Sequence, residues 1–133
     1  MSARLAALLV LPLLFGGARQ AAAEDIVSYC GGGVTGGGGG LRIEADSAVL
    51  RLGRARAGAP IEETRLDTNA AYDRIAVLLD EAGSERMPPD APSDMTCSIT
   101  RHWQGKAHAV MWSMGHAPPV LRPVLREMEA AGR

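Results

Sequence analysis

The sequence predicts a single small α+β domain in which two amphipathic helices pack on an antiparallel β-sheet of roughly four to six strands. Three observations predict this class. Short segments of alternating apolar and polar residues come first, an amphipathic helical pattern follows, and a second hairpin and a second helical pattern complete the chain. Each helical pattern has one apolar face, which needs a sheet to cover it.

The first residues have the features of a secretory signal peptide. Arg4 gives a positive start, residues 5–15 form an apolar run, and Ala21–Ala23 provide a small-residue cleavage site. We therefore expect residues 1–23 to be removed, so that residues 24–133 form one domain without stable membrane insertion. The expected location of the mature protein is the periplasm or the medium.

The first half of the domain is predicted to consist of strands. Apolar and polar residues alternate in several short segments, which Asp, Ser, Gly and Pro separate into turns. The predicted strands are 25–30, 41–44, 49–56 and a weaker edge strand over 61–66.

Helical spacing begins after this fourth segment. Apolar residues recur at intervals of three and four over 69–82, Asp67 and Thr68 are suitable N-cap residues, and Gly83 is a suitable C′ residue. The proline-rich segment 84–94 is predicted to be a loop.

A hairpin and a final helix complete the predicted fold. Strand-forming residues over 95–103 and 107–114 flank Gln104, Gly105 and Lys106, which predicts a tight hairpin. Pro118 and Pro119 then lead into an amphipathic helix that starts near Leu121 and ends at Gly132.

The segment 31–40 contains eight glycines and directly follows Cys30. We expect a glycine-rich loop over 31–40 that connects two strands and contacts a partner through Gly33, Val34, Thr35 and Gly36. The segment matches the pattern GxGxxG, but an alternating strand follows it where a dinucleotide-binding site requires a helix. No cofactor is therefore expected.

The domain has two cysteines, Cys30 and Cys97. An even pair in an exported protein predicts a disulfide, which would join the two halves of the sheet. Free thiols or a Cys/His metal site are the alternatives.

The charge of the domain is small and mixed. Without Arg4 and Arg19 the chain keeps 12 basic and 15 acidic residues, which gives a formal charge of −3. Because no basic patch is present, nucleic acid is not an expected partner.

The order of these features resembles that of small bacterial proteins related to emfourin, an inhibitor of protealysin-type (thermolysin-like) metalloproteases. That family has a strand and a glycine-rich turn, then further strands, an amphipathic helix, a hairpin and a proline-led final helix. The matching segments here are 28–36, 66–83, 95–114 and 118–125.

The resemblance implies a non-catalytic inhibitor that blocks a secreted or periplasmic protease sterically through its glycine-rich loop. This chain departs from the family in two respects. Val34 lies where the family tends to have an aromatic or bulky apolar residue, and a signal peptide precedes a domain that is often cytoplasmic in the family.

Two other functions remain open from the sequence. His108, Met111, Met114 and His116 offer imidazole and thioether ligands, which suit Cu(I) in an exported protein. Alternatively, the chain is an envelope-associated structural domain. We expect no enzyme activity, because no serine has a nucleophile-elbow context and the cysteines are expected to be paired.

Overall fold

The structure is a computed structural model that describes residues 23–88 and 93–133. In these ranges the chain forms a six-stranded antiparallel sheet and two α-helices, which confirms the predicted α+β class. The elements are β1 (Asp25–Gly32), β2 (Gly37–Glu44), β3 (Ala48–Arg54), β4 (Glu62–Asn69), α1 (Tyr72–Ala82), β5 (Met95–Trp103), β6 (Lys106–Ser113) and α2 (Arg122–Ala131). Residues 1–22 of the predicted signal peptide lie outside the described residues. Neither α1 nor α2 is long and apolar enough to cross a membrane.

The strands lie in the order β4-β3-β2-β1-β5-β6. The first four strands form a meander, and the β5–β6 hairpin joins it by pairing β5 with β1. The strands β1 and β2 are therefore central, and the turn between them lies in the middle of one end of the sheet. We call this end, where β1 ends and β2 begins, the turn end.

Both helices pack on one face of the sheet, which we call the helix face. The core is formed by alternate strand residues on this face and by the apolar stripes of α1 and α2. Its most deeply buried members are Ile26, Ile43, Val49, Ile99, Ile75, Leu79, Leu121, Val124 and Met128.

The start of α1 differs from the prediction. Asp67 and Thr68 do not cap a helix, because both belong to β4, which extends to Asn69, opposite Ala48 of β3. Strand pairing has overridden a local capping preference. The Thr68 hydroxyl instead donates a hydrogen bond to the carbonyl of Ala131, at 2.7 Å, and so holds the end of α2 against the sheet.

The predicted glycine-rich loop over 31–40 is wrong in its extent. Gly31 and Gly32 belong to β1 and the residues 37–40 belong to β2, so that only 33–36 form the connection. Here glycine is required by close backbone approach. A Cβ on Gly40 would lie 1.9 Å from the carbonyl oxygen of Ser28.

The ring of Tyr29 covers part of this glycine-rich sheet on the face opposite the helices. A Cβ on Gly31 would lie 2.7 Å from Cε1 of Tyr29, and one on Gly38 would lie 2.6 Å from its hydroxyl oxygen. The aromatic ring therefore occupies the space above two residues that have no side chain, an arrangement that stabilises glycine in sheets.

Candidate functional site

The β1–β2 turn consists of Gly33, Val34, Thr35 and Gly36. Gly33 and Gly36 have φ angles of 70° and 68°, which favour glycine. A Cβ on Gly36 would also lie 2.5 Å from the Cβ of Ala57. The turn therefore depends on glycine at both ends and presents only the side chains of Val34 and Thr35.

Hydrogen bonds hold the turn to the segments on both sides of it. The amide of Gly33 donates to the carbonyl of Asp94, which precedes β5. On the other side, the amide of Ala57, after β3, donates to the carbonyl of Thr35 at 2.8 Å. Within the turn, the amide of Gly36 donates to the carbonyl of Gly33 at 3.2 Å. The turn is therefore short and is held by hydrogen bonds to its neighbours, and it is not a long glycine loop.

Val34 is fully exposed at the tip of this turn, with a relative exposure of 107%. An exposed Val is ordinary by itself, but other apolar residues share the same end of the sheet. Ile61 precedes β4 and Met114 follows β6, and both are exposed. Met95 lies beneath the turn, since its sulfur would be 2.9 Å from a Cβ on Gly33. The turn end therefore has an apolar tip and apolar flanks.

The predicted disulfide between Cys30 and Cys97 is present. The two residues are direct partners in the β1–β5 register, two positions from the pair Gly32 and Met95 that ends this ladder. The disulfide thus joins the meander to the β5–β6 hairpin near the base of the turn.

The four residues of the alternative metal site do not converge. His108 and Met111 point to opposite faces of β6, because side chains alternate along a strand. Met114 and His116 follow the end of β6. His108 is directed to the helix face, where its Nε2 atom is buried and forms no hydrogen bond with the residues that the structure describes. Throughout residues 23–88 and 93–133, no three His, Cys, Asp or Glu side chains are grouped as metal ligands.

A cluster of charged and polar side chains on the face of the sheet opposite the helices cannot be recognised from the sequence. Asp25 pairs with His102 of β5 and with Arg42 of β2, whose Nε atom is 3.4 Å from the carboxylate; Arg42 also pairs with Glu63 of β4. These residues are far apart in the chain, and only the register of the strands brings them together. The cluster links β1, β2, β4 and β5 on the face of the sheet opposite the helices.

Comparisons with protein-family models and with curated proteins identify no relative of this chain. No protein-family model matches the sequence, and no curated protein matches it significantly. The function of the chain must therefore be argued from its own residues, and the resemblance to emfourin-like inhibitors stays a hypothesis.

Proposed function

We propose that this chain is an exported, non-catalytic binding protein that inhibits a metalloprotease by inserting its β1–β2 turn into the protease cleft. The observation that carries the proposal is the full exposure of Val34 at the tip of a turn that hydrogen bonds hold on both sides. Insertion of Val34 into an apolar subsite would bury a side chain that the fold itself leaves in water.

The hydrogen bonds that hold the turn in one conformation support tight binding. A flexible glycine loop would lose conformational entropy on binding, and this loss weakens affinity. Here Gly33 is already fixed to Asp94, and Thr35 is already fixed to Ala57. A partner that binds this turn therefore orders few additional residues.

The surroundings of the turn support an interface larger than a single side chain. Ile61 and Met114 are 44% and 47% exposed at the two sides of the turn end. β4 and β6 are the edge strands, five strand spacings or about 24 Å apart. A surface of this width suits a protein cleft, with Val34 as the central contact.

Two observations support an exported protein. The signal-peptide features of residues 1–23 predict export, and the disulfide between Cys30 and Cys97 is typical of an oxidising compartment. The partner would accordingly be a secreted or periplasmic protease, of the thermolysin-like class that the emfourin resemblance implies.

The test is an inhibition assay of the oxidised protein against a panel of thermolysin-like metalloproteases. We expect stoichiometric loss of peptidase activity, and we expect Val34→Asp to abolish it because a carboxylate would be buried in an apolar subsite. Val77→Asp is the matched control, since Val77 is 51% exposed on α1, and Asp80 of this helix pairs with Arg101 near the end of β5 remote from the turn. If no protease in the panel is inhibited, or if both variants lose inhibition equally, the proposal is wrong.

A further inference from the structure

A groove lies on the helix face of the sheet, beside the C-terminal half of α2. Its volume is about 560 Å³, within the usual range for small-molecule sites. Trp112, the Cys30–Cys97 disulfide and Gly39 form one row across its floor, and Leu125 and Met128 of α2 contribute to its wall.

The floor of this groove includes glycine residues, which place no side chain in it. The helix-face glycines, Gly39 and Gly53, are direct partners on β2 and β3. A Cβ on Gly53 would meet no atom within 4 Å, and one on Gly39 would come no closer than 3.2 Å to its nearest neighbour. On the opposite face, by contrast, a Cβ on Gly38 would lie 2.4 Å from a carbonyl oxygen. Close packing thus explains the glycine at 38 and, through the carbonyl oxygen of Leu52, bears on the glycine at 39, but it does not explain the bare surface at Gly53.

α2 ends before it can cover this surface. Gly132 follows the helix and rests against Leu41, where a Cβ would lie 2.7 Å from a Leu41 methyl group. The sheet beyond this contact therefore stays open, and its exposed lining is mostly apolar.

A fixed positive charge lies at the mouth of the groove. Arg51 donates a hydrogen bond to the carbonyl of Gly132 at 2.7 Å, which holds its guanidinium beside the end of α2. Among the residues that the structure describes, no carboxylate forms an ion pair with Arg51, whereas Arg133 is paired with Glu129 at 2.9 Å. The remaining N–H groups of Arg51 can donate two hydrogen bonds to a carboxylate in a bidentate arrangement.

We infer that this groove binds a linear apolar chain that ends in a carboxylate, such as a medium-chain fatty acid. The apolar chain lies across the strands on the disulfide and Gly39, with its far end against Trp112, and the carboxylate binds Arg51. Trp112 on β6 and Arg51 on β3 are four strand spacings apart, about 19 Å, a distance that the long side chain of Arg51 and an extended acyl chain cover together. The inference is independent of the Val34 turn and of protease inhibition.

The probe is decanoate, titrated into the oxidised protein while amide and methionine methyl signals are followed by NMR. We expect saturable shifts at Gly39, Gly40 and Met128. Arg51→Gln should weaken decanoate binding by about tenfold or more, which is the scale of a charge-assisted hydrogen bond. The same substitution should leave binding of 1-decanol unchanged, because the alcohol lacks the carboxylate.

Arg65→Gln is the matched control for charge, since Arg65 lies on the neighbouring strand β4 and faces away from the groove. Gly39→Val should block both ligands by raising the floor, and its amide spectrum reports whether it folds. Absence of saturable decanoate binding, shifts confined to other residues, or equal losses in Arg51→Gln and Arg65→Gln would each overturn the inference.

Discussion

Cys30 and Cys97 are directly opposite each other on neighbouring strands, with their Cα atoms 4.0 Å apart, although 67 residues separate them in the sequence. The strands they join, β1 and β5, are neighbours in the sheet, and their pairing connects the β1–β4 meander to the β5–β6 hairpin. The disulfide thus constrains the most non-local strand pairing in the sheet.

Replacing both cysteines by alanine should lower the free energy of unfolding by about 4 kcal/mol, the value that chain entropy predicts for a loop of this length. Urea unfolding followed by tryptophan fluorescence measures the change. The reduced wild-type protein should unfold near the same midpoint as the double variant. A loss below about 1 kcal/mol would show that the unfolded chain is not appreciably constrained by this bond.

Alanine substitutions should divide the glycines of β2 and β3 into two classes. Gly40→Ala should lower the free energy of unfolding by about 3 kcal/mol, because its Cβ would collide with the carbonyl of Ser28. Gly53→Ala should raise it by about 0.5 to 1 kcal/mol, because the added methyl group meets no atom and the unfolded chain loses entropy. Thermal and urea unfolding measure both effects, and similar values for the two variants would contradict the described strand geometry.

The sequence predicted those parts of the fold that local pattern determines. Alternation located the strands, and the hairpin predicted around Gln104 and Gly105 is present, with φ angles of 49° and 71° at these two residues. The glycines at 37–40 were assigned to a loop because glycine has low strand propensity. Their strand structure comes from pairing with β1 and β3 on either side, which a local pattern does not contain.

Local sequence could predict only part of the candidate site, because the rest depends on the register of the strands. The exposure of Val34 follows from its position between glycines, and the pairing of Cys30 with Cys97 follows from their number. The ion pair of Asp25 with Arg42, the hydrogen bond of Asp25 with His102, and the groove beside Arg51 require the register of the strands. Of the alternative copper ligands His108, Met111, Met114 and His116, His108 and Met111 lie on opposite faces of β6, because side chains alternate along a strand.

Tyr72 should make the protein sensitive to alkaline pH. Burial raises the pKa of its hydroxyl above the ordinary value of about 10, Glu24 raises it further, and Arg101 offsets part of the effect. Because the folded state then holds this proton more tightly than the unfolded state, stability is retained below pH 10 and falls as the pH rises through the folded-state pKa.

Tyr72→Phe should therefore unfold less readily than the wild type above about pH 10. Its stability at pH 7 should not fall, since among residues 23–88 and 93–133 no group lies within hydrogen-bonding geometry of the buried hydroxyl. Urea unfolding of both proteins between pH 7 and 11 provides the comparison. A constant difference between them across this range would show that Tyr72 does not titrate with unfolding.

The hydrogen bonds of the β1–β2 turn should be visible in amide hydrogen exchange without any partner. The amides of Gly33 and Ala57 donate to Asp94 and Thr35, so both should exchange much more slowly than the amide of Val34 at the tip. Exchange measured by NMR at neutral pH distinguishes the three sites directly. If Gly33 and Ala57 exchanged as fast as Val34, the turn would be mobile in solution. Binding would then require ordering of the whole turn, and the argument that Val34 is presented by a preorganised structure would fail.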